Sequence, residues 1–247
     1  MTAPFPALRA APAHPAFGLI VLQQDERIEP DFRRLLPQDA RLHVSRIPSG
    51  AAVTTDTLAG METHLTAAAA LLPPAVAFDA VGYGCTSGAA VIGRARVAEL
   101  VRGGATAAAV SEPASALIAA ARALGITRFA LLSPYVAEVS DRLRTVLAED
   151  GIGTPRFGSF EIAEEAEVAR IAPASIAAAA IELGRDASVE GVILSCTNLN
   201  GLAVIGEVEA ALGKPVISSN SALAWDLCRA AGVRLAPGAG AGRLGRV

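Results

Sequence analysis

The sequence predicts an α/β protein of two pseudosymmetric lobes, each a parallel sheet flanked by helices, with the functional site in the cleft between them. Short β-rich apolar runs alternate with longer Ala/Leu-rich segments at helical period, the pattern of a parallel sheet with covering helices. A thiol-bearing turn occurs twice, as VGYGCTSGAAVIG (Val81 to Gly93) and VILSCTNLNGLAVIG (Val192 to Gly206). Each copy closes a series that begins with a buried apolar strand, one from Phe17 and one from Phe129.

In chain order the apolar runs place strands at Gly18 to Leu22, Leu42 to Ile47, Ala77 to Gly82, Ala107 to Val110, Phe129 to Ser133, Pro155 to Phe160, Gly191 to Ser195 and Pro215 to Ser218. Helical spacing places helices at Thr54 to Leu72, Gly88 to Arg102, Pro113 to Leu124, Val136 to Asp150, Pro173 to Arg185, Leu202 to Leu212 and Ser221 to Ala231. In both copies of the turn the Val-Ile-Gly tripeptide is expected to begin a helix. Residues 1–15 form a leader without a basic start and apolar core, so no secretory signal is expected. Lobe 1 is expected to comprise 16–118 plus 218–247, because the last helix has no partner series of its own. Lobe 2 comprises 119–217.

The chain has 247 residues, 52% of them apolar, which is ample for a large core. A formal net charge of -3 without a Lys/Arg block removes the electrostatic basis for nucleic-acid binding. No stretch of 18 uninterrupted apolar residues exists, so no membrane partner is expected. Three cysteines without CxxC spacing, and three histidines, make neither a disulfide framework nor a metal site. Reduced thiols, a cytoplasmic location and a small-molecule ligand follow.

Both Cys-Thr turns fall at the carboxyl ends of strands, where open α/β sheets bind ligands. Free N–H groups there suit a substrate carboxylate and favour a thiolate. A free cysteine is often only a small buried hydrophobe, and Cys228, within AWDLCRAAG, fits that role. For Cys85 and Cys196 the paired context points to catalysis. The spacing argues against a dinucleotide site at Gly82, Gly84 and Gly88: its third glycine would stand at Ser87, and Thr106 to Val110 offers no acidic ribose ligand. The GAGAGR run (Gly238 to Arg243) has no helix after it and is expected to be a mobile or site-covering tail.

GCTSGAAVIG (Gly84 to Gly93), LSCTNL (Leu194 to Leu199), SPYVAEVSDRL (Ser133 to Leu143) and the Gly240 to Arg243 tail resemble the aspartate/glutamate racemase superfamily. The most similar branch holds maleate cis-trans isomerases, arylmalonate decarboxylases and the ectoine-utilisation protein A. The resemblance implies two flavodoxin-like lobes, no cofactor, and a homo-oligomer as a compatible state. It also implies one cysteine per lobe facing a small carboxylate, with Cys85 and Cys196 as the catalytic pair. Ordinary arylmalonate decarboxylases carry glycine where this chain has Cys85, which argues against decarboxylation.

By the same resemblance Tyr135 covers the substrate, while Thr86, Ser87, Thr197 and Asn198 hold its carboxylate; helix capping by these residues uses the same donors. Two departures concern asparagines of the maleate isomerases, replaced here by Asp25 and by Glu165, or Glu164 if the register slips by one. Either acid could instead be a solvated loop charge. A carboxylate in place of an amide repels a second substrate carboxylate and welcomes an ammonium or amide N–H. The expected activity is therefore a two-cysteine racemase or isomerase acting on a small carboxylate that also bears nitrogen. The alternatives are maleate-type isomerisation by thiolate addition-elimination, and a non-catalytic metabolite-binding protein.

Overall fold

The computed structural model describes residue 7 and residues 14–247. Most of the expected leader therefore lies outside the described residues. The first half runs β1 (Ala16–Leu22), α1 (Ile28–Leu35), β2 (Arg41–Ile47), α2 (Thr55–Gly60), α3 (Glu62–Ala70), β3 (Phe78–Gly84), α4 (Thr86–Ile92), α5 (Arg94–Gly104), β4 (Ala107–Ser111) and α6 (Pro113–Leu124). The second runs β5 (Arg128–Ser133), α7 (Ala137–Glu149), β6 (Gly153–Ser159), α8 (Glu165–Val168), α9 (Pro173–Gly184), β7 (Gly191–Leu194), α10 (Ile205–Leu212), β8 (Val216–Ser218) and α11 (Ser219–Ala230).

All eight expected strands form, and they form two parallel sheets with the same order, β2-β1-β3-β4 and β6-β5-β7-β8. This is the expected two-lobe fold. Strand β1 is buried along its whole length, as a central parallel strand covered on both faces must be. In each lobe the strand that ends in a Cys-Thr turn, β3 or β7, lies beside the strand that opens the series.

The helices depart from expectation at five places, one of them the short added helix α8. Helix α1 is an addition: Ile28, Phe32 and Leu35 share one buried face, a spacing masked in sequence by Pro30 and the charges around it. The helix expected over 54–72 is broken at Met61 into α2 and α3. The one expected over 88–102 begins at Thr86 and is divided by Gly93, whose φ of 95° a side chain would strain. In the first copy the Val-Ile-Gly tripeptide thus ends a helix, contrary to expectation. In the second copy it joins a 3₁₀ turn (Leu202–Val204) to α10.

Helix α11 leaves β8 through a capping box of Ser218 and Ser221 and packs against β3, β4, α1 and α6. The Gly-rich tail packs at the far edge of the second sheet, where the Arg243 guanidinium donates to the Gly213 carbonyl (2.6 Å). It does not cover the cleft. No helix among the described residues is long and apolar enough to cross a membrane.

Candidate active site

Cys85 follows β3 and caps α4, its Sγ accepting the Gly88 N–H at 3.2 Å. Cys196 follows β7 with a φ of 127°, a left-handed conformation that costs a non-glycine residue roughly 1–3 kcal/mol. That strain is held in place from two sides. Its own N–H donates to Ser219 Oγ (3.1 Å), and its Sγ accepts the Asn198 N–H (3.3 Å).

The two turns are stitched together across the lobes. Thr86 Oγ1 donates to Ser219 Oγ (2.8 Å), the same oxygen that receives the Cys196 N–H. Thr197 Oγ1 donates to the Gly84 carbonyl (3.3 Å), and Asn220 Nδ2 donates to the Thr197 carbonyl and to Asp31 Oδ2, each at 2.8 Å. Ser219 and Asn220 went unrecognised in the sequence. Their signal was a run of polar residues, Ser218 to Ser221, directly after a strand.

Cys85 and Cys196 line a single cavity together with Thr86, Ser87, Tyr135, Glu165 and Thr197, closed on its apolar side by Leu22, Val53, Leu58 and Met61. No Lys, Arg or His lines it. The free space is about 20 Å³, room for about one water. Its roof is a short antiparallel contact between the lobes: Val53 N–H donates to the Ala163 carbonyl and Glu165 N–H to the Ala51 carbonyl, each at 2.9 Å.

Tyr135 Oη stands between an acid and a thiol, 2.6 Å from Glu165 Oε2 and 3.0 Å from Cys196 Sγ. Burial pushes the Glu165 carboxyl up to about 7, with Asp25 adding to the effect and the Tyr135 hydrogen bond opposing it. Burial likewise pushes the Cys85 thiol up to about 12, and Cys196 well above the ordinary thiol range. Both sulfurs are therefore thiols at neutral pH.

Two expected substrate contacts stand behind the cavity wall. Asp25 Oδ1 accepts the N–H groups of Arg27 and Ile28 (2.8 Å each) at the start of α1, while its buried Oδ2 has no partner. Its carboxyl is raised by burial. Asn198 uses its side chain on the backbone, accepting from Glu26 N–H (2.9 Å) and donating to the Glu165 carbonyl (3.1 Å). It holds Glu165 in position. Glu164 lies in the roof contact, and Glu165 is the acid that reaches the cavity. Cys228 is buried on α11, outside the cavity lining, with its thiol raised to about 12 by burial. Among the described residues no group of three or more His, Cys, Asp or Glu could hold a metal ion.

Two equivalent half-molecules, each ending a strand in a thiol at a shared cavity, define a class of two-lobed α/β proteins with a paired-cysteine site. This chain belongs to the arylmalonate decarboxylase family, whose profile matches residues 18–244. It is 37% identical over 133 residues to arylmalonate decarboxylase of Bordetella bronchiseptica, a match that spans 53% of this chain and 55% of that protein. Maleate isomerase Iso of Pseudomonas putida S16 superposes with a TM-score of 0.83 at 26% identity, covering 93% of this chain and 97% of the other. A cysteine-to-serine mutant of Nocardia farcinica maleate cis-trans isomerase, carrying a covalently bound succinylcysteine intermediate, gives 0.83 and 26% over 95% and 99%.

Proposed function

We propose that this chain is a cofactor-independent isomerase that inverts a small carboxylate between two thiols, and that its substrate also carries a nitrogen group. The observation that carries this reading is the cavity lining: one cysteine from each lobe, with Glu165 as the sole ionisable group besides the thiols and Tyr135, and no cation. A second substrate carboxylate would meet an acceptor at Glu165. An ammonium or amide N–H would meet a partner.

The chemistry starts from two thiols. Cys196 passes its proton to Tyr135 Oη as Tyr135 passes its own to Glu165, leaving a thiolate, a neutral phenol and a neutral acid. The thiolate removes the proton alpha to the carboxylate, and the C–H electron pair moves into an enediolate held by N–H groups around Thr86 and Thr197. Cys85 gives its proton to the opposite face and becomes the thiolate. After product leaves, water returns the Glu165 proton to Cys85. The pair titrates as a unit. Both thiols must stay reduced, a requirement that a cytoplasmic location meets.

The second reading is thiolate addition to an activated alkene, rotation and elimination; the succinylcysteine intermediate of the Nocardia relative supports it. The pH dependence of KM separates the two, because Glu165 ionises near pH 7. For an amino-carboxylate, KM falls about tenfold as pH rises through 7, because ionised Glu165 is the counter-ion on binding, before it takes the Tyr135 proton; for a dicarboxylate KM rises by a similar factor. Steady-state kinetics on a panel of amino-carboxylates, their acyl and cyclic derivatives, and maleate between pH 6 and 8.5 measures this. Efficient turnover of maleate alone would discard the nitrogen-bearing substrate. Ligand-induced thermal stabilisation without turnover of anything would make the chain a binding protein with an inherited cleft.

A further inference from the structure

We propose that Tyr83 is the hydrogen-bond donor to the Cys85 sulfur, the first-lobe counterpart of Tyr135 beside Cys196, so that each thiol carries its own phenol. Tyr83 lies in β3 two residues before Cys85 and is completely buried, yet its hydroxyl is satisfied only by the Met61 thioether at 3.6 Å. A thioether is a weak acceptor, and a buried phenol ordinarily finds a better one. The better one is adjacent. A β carbon placed on Gly88 would sit 2.7 Å from Tyr83 Oη and 2.9 Å from Cys85 Sγ, so hydroxyl and sulfur flank the same empty point. Glycine at that position keeps the two from being wedged apart.

A small shift of the Tyr83 side chain turns its proton from Met61 toward Cys85. When Cys85 is a thiol the gain is small; when it is a thiolate the bond is charge-assisted. Burial dominates the rise of the Cys85 thiol, the carboxylates of Glu165 and Asp25 add to it, and the Gly88 N–H and the nearby Tyr83 hydroxyl oppose it. Burial, with the charges of Cys85 and Glu112 adding to it, disfavours loss of the Tyr83 proton, so Tyr83 stays a donor.

This inference rests on the proposed function in one respect: Cys85 is a thiolate for half of the cycle. In that half a donor to the Cys85 sulfur lowers the cost of its buried negative charge. Tyr83 keeps its own proton throughout, and the proton that Cys85 gives up goes to the substrate.

The experiment is alkylation of the full chain with iodoacetamide between pH 7 and 10, with Cys85 and Cys196 read separately by peptide mass spectrometry. Because both sulfurs open onto one cavity, their rate ratio cancels changes in access. Tyr83→Phe, which keeps the ring, is expected to slow Cys85 about tenfold at pH 8 and to move its pH profile upward, with Cys196 unchanged. Tyr135→Phe should do the reverse. Gly88→Ala, which retains both groups but parts them, should reproduce the selective loss at Cys85. A Cys85-to-Cys196 ratio in folded Tyr83→Phe that matches the parent at every pH would overturn the assignment. No substrate is involved, so this outcome is independent of whether the proposed reaction occurs.

Discussion

Serine at either Cys85 or Cys196 is expected to lower the rate of inversion by at least about 10³-fold, with thermal stability almost unchanged. An alcohol is a far weaker acid than a thiol, so the variant loses a base in one direction and an acid in the other. The loss is a shared one, because the two sulfurs act as a unit and a single deletion disables the pair. Removal of the alpha proton needs only one thiolate. Cys85→Ser should therefore still exchange that proton with solvent from the enantiomer that Cys196 attacks, and Cys196→Ser from the other. Chiral chromatography measures inversion and proton NMR in deuterated water measures exchange on the same sample. Cys228→Ala, remote from the cavity, should invert at the parent rate. Parental inversion in both serine variants would refute the two-thiol scheme.

The second large effect is expected at Glu165. Replacing it with glutamine removes the acceptor at the end of the Cys196–Tyr135 chain, and turnover should fall by about 10²-fold, the ordinary scale for losing a positioned acid or base. The activity step near pH 7 should vanish with it. Stability moves the opposite way. The folded protein holds the Glu165 proton more tightly than the unfolded chain does, so stability declines as pH climbs from 4.5 to about 7 and is level above that. At about 1.4 kcal/mol per tenfold difference in proton affinity, the ionised side chain costs up to about 3 kcal/mol at pH 8. Glu165→Gln should recover much of that at pH 8 and little below pH 4.5. Urea unfolding of the two proteins at both pH values checks the sign.

Strands were legible in the sequence because a central parallel strand must be apolar on both faces, and Phe17 to Leu22 and Phe129 to Ser133 state this without ambiguity. The twofold repeat was legible because the same turn had to be built twice. Helix α1 was not: its three buried residues are separated by Glu29, Pro30, Asp31 and two arginines, so its apolar face is narrow. The break at Gly93 depends on a backbone angle that glycine permits but does not require. Within the site, chemistry-bearing residue types could be recognised, but their direction could not. Asp25 and Glu165 look alike in sequence, yet one caps a helix behind the wall and the other meets Tyr135 inside it. Ser219 was invisible for a different reason. Its role is to join Thr86, 133 positions away, to Cys196, and only the closed fold brings those groups to one oxygen.

In the two-thiol reaction a proton leaves one side of the substrate to one sulfur while another arrives at the opposite side from the other. Its direct measurement is a first-turnover reaction of one pure enantiomer in deuterated water, with the products resolved by chirality and isotope. Inverted product is expected to carry one deuterium at the alpha carbon, while unreacted substrate retains protium. Product free of solvent deuterium, or an isomerised alkene bound to a single cysteine, would contradict it.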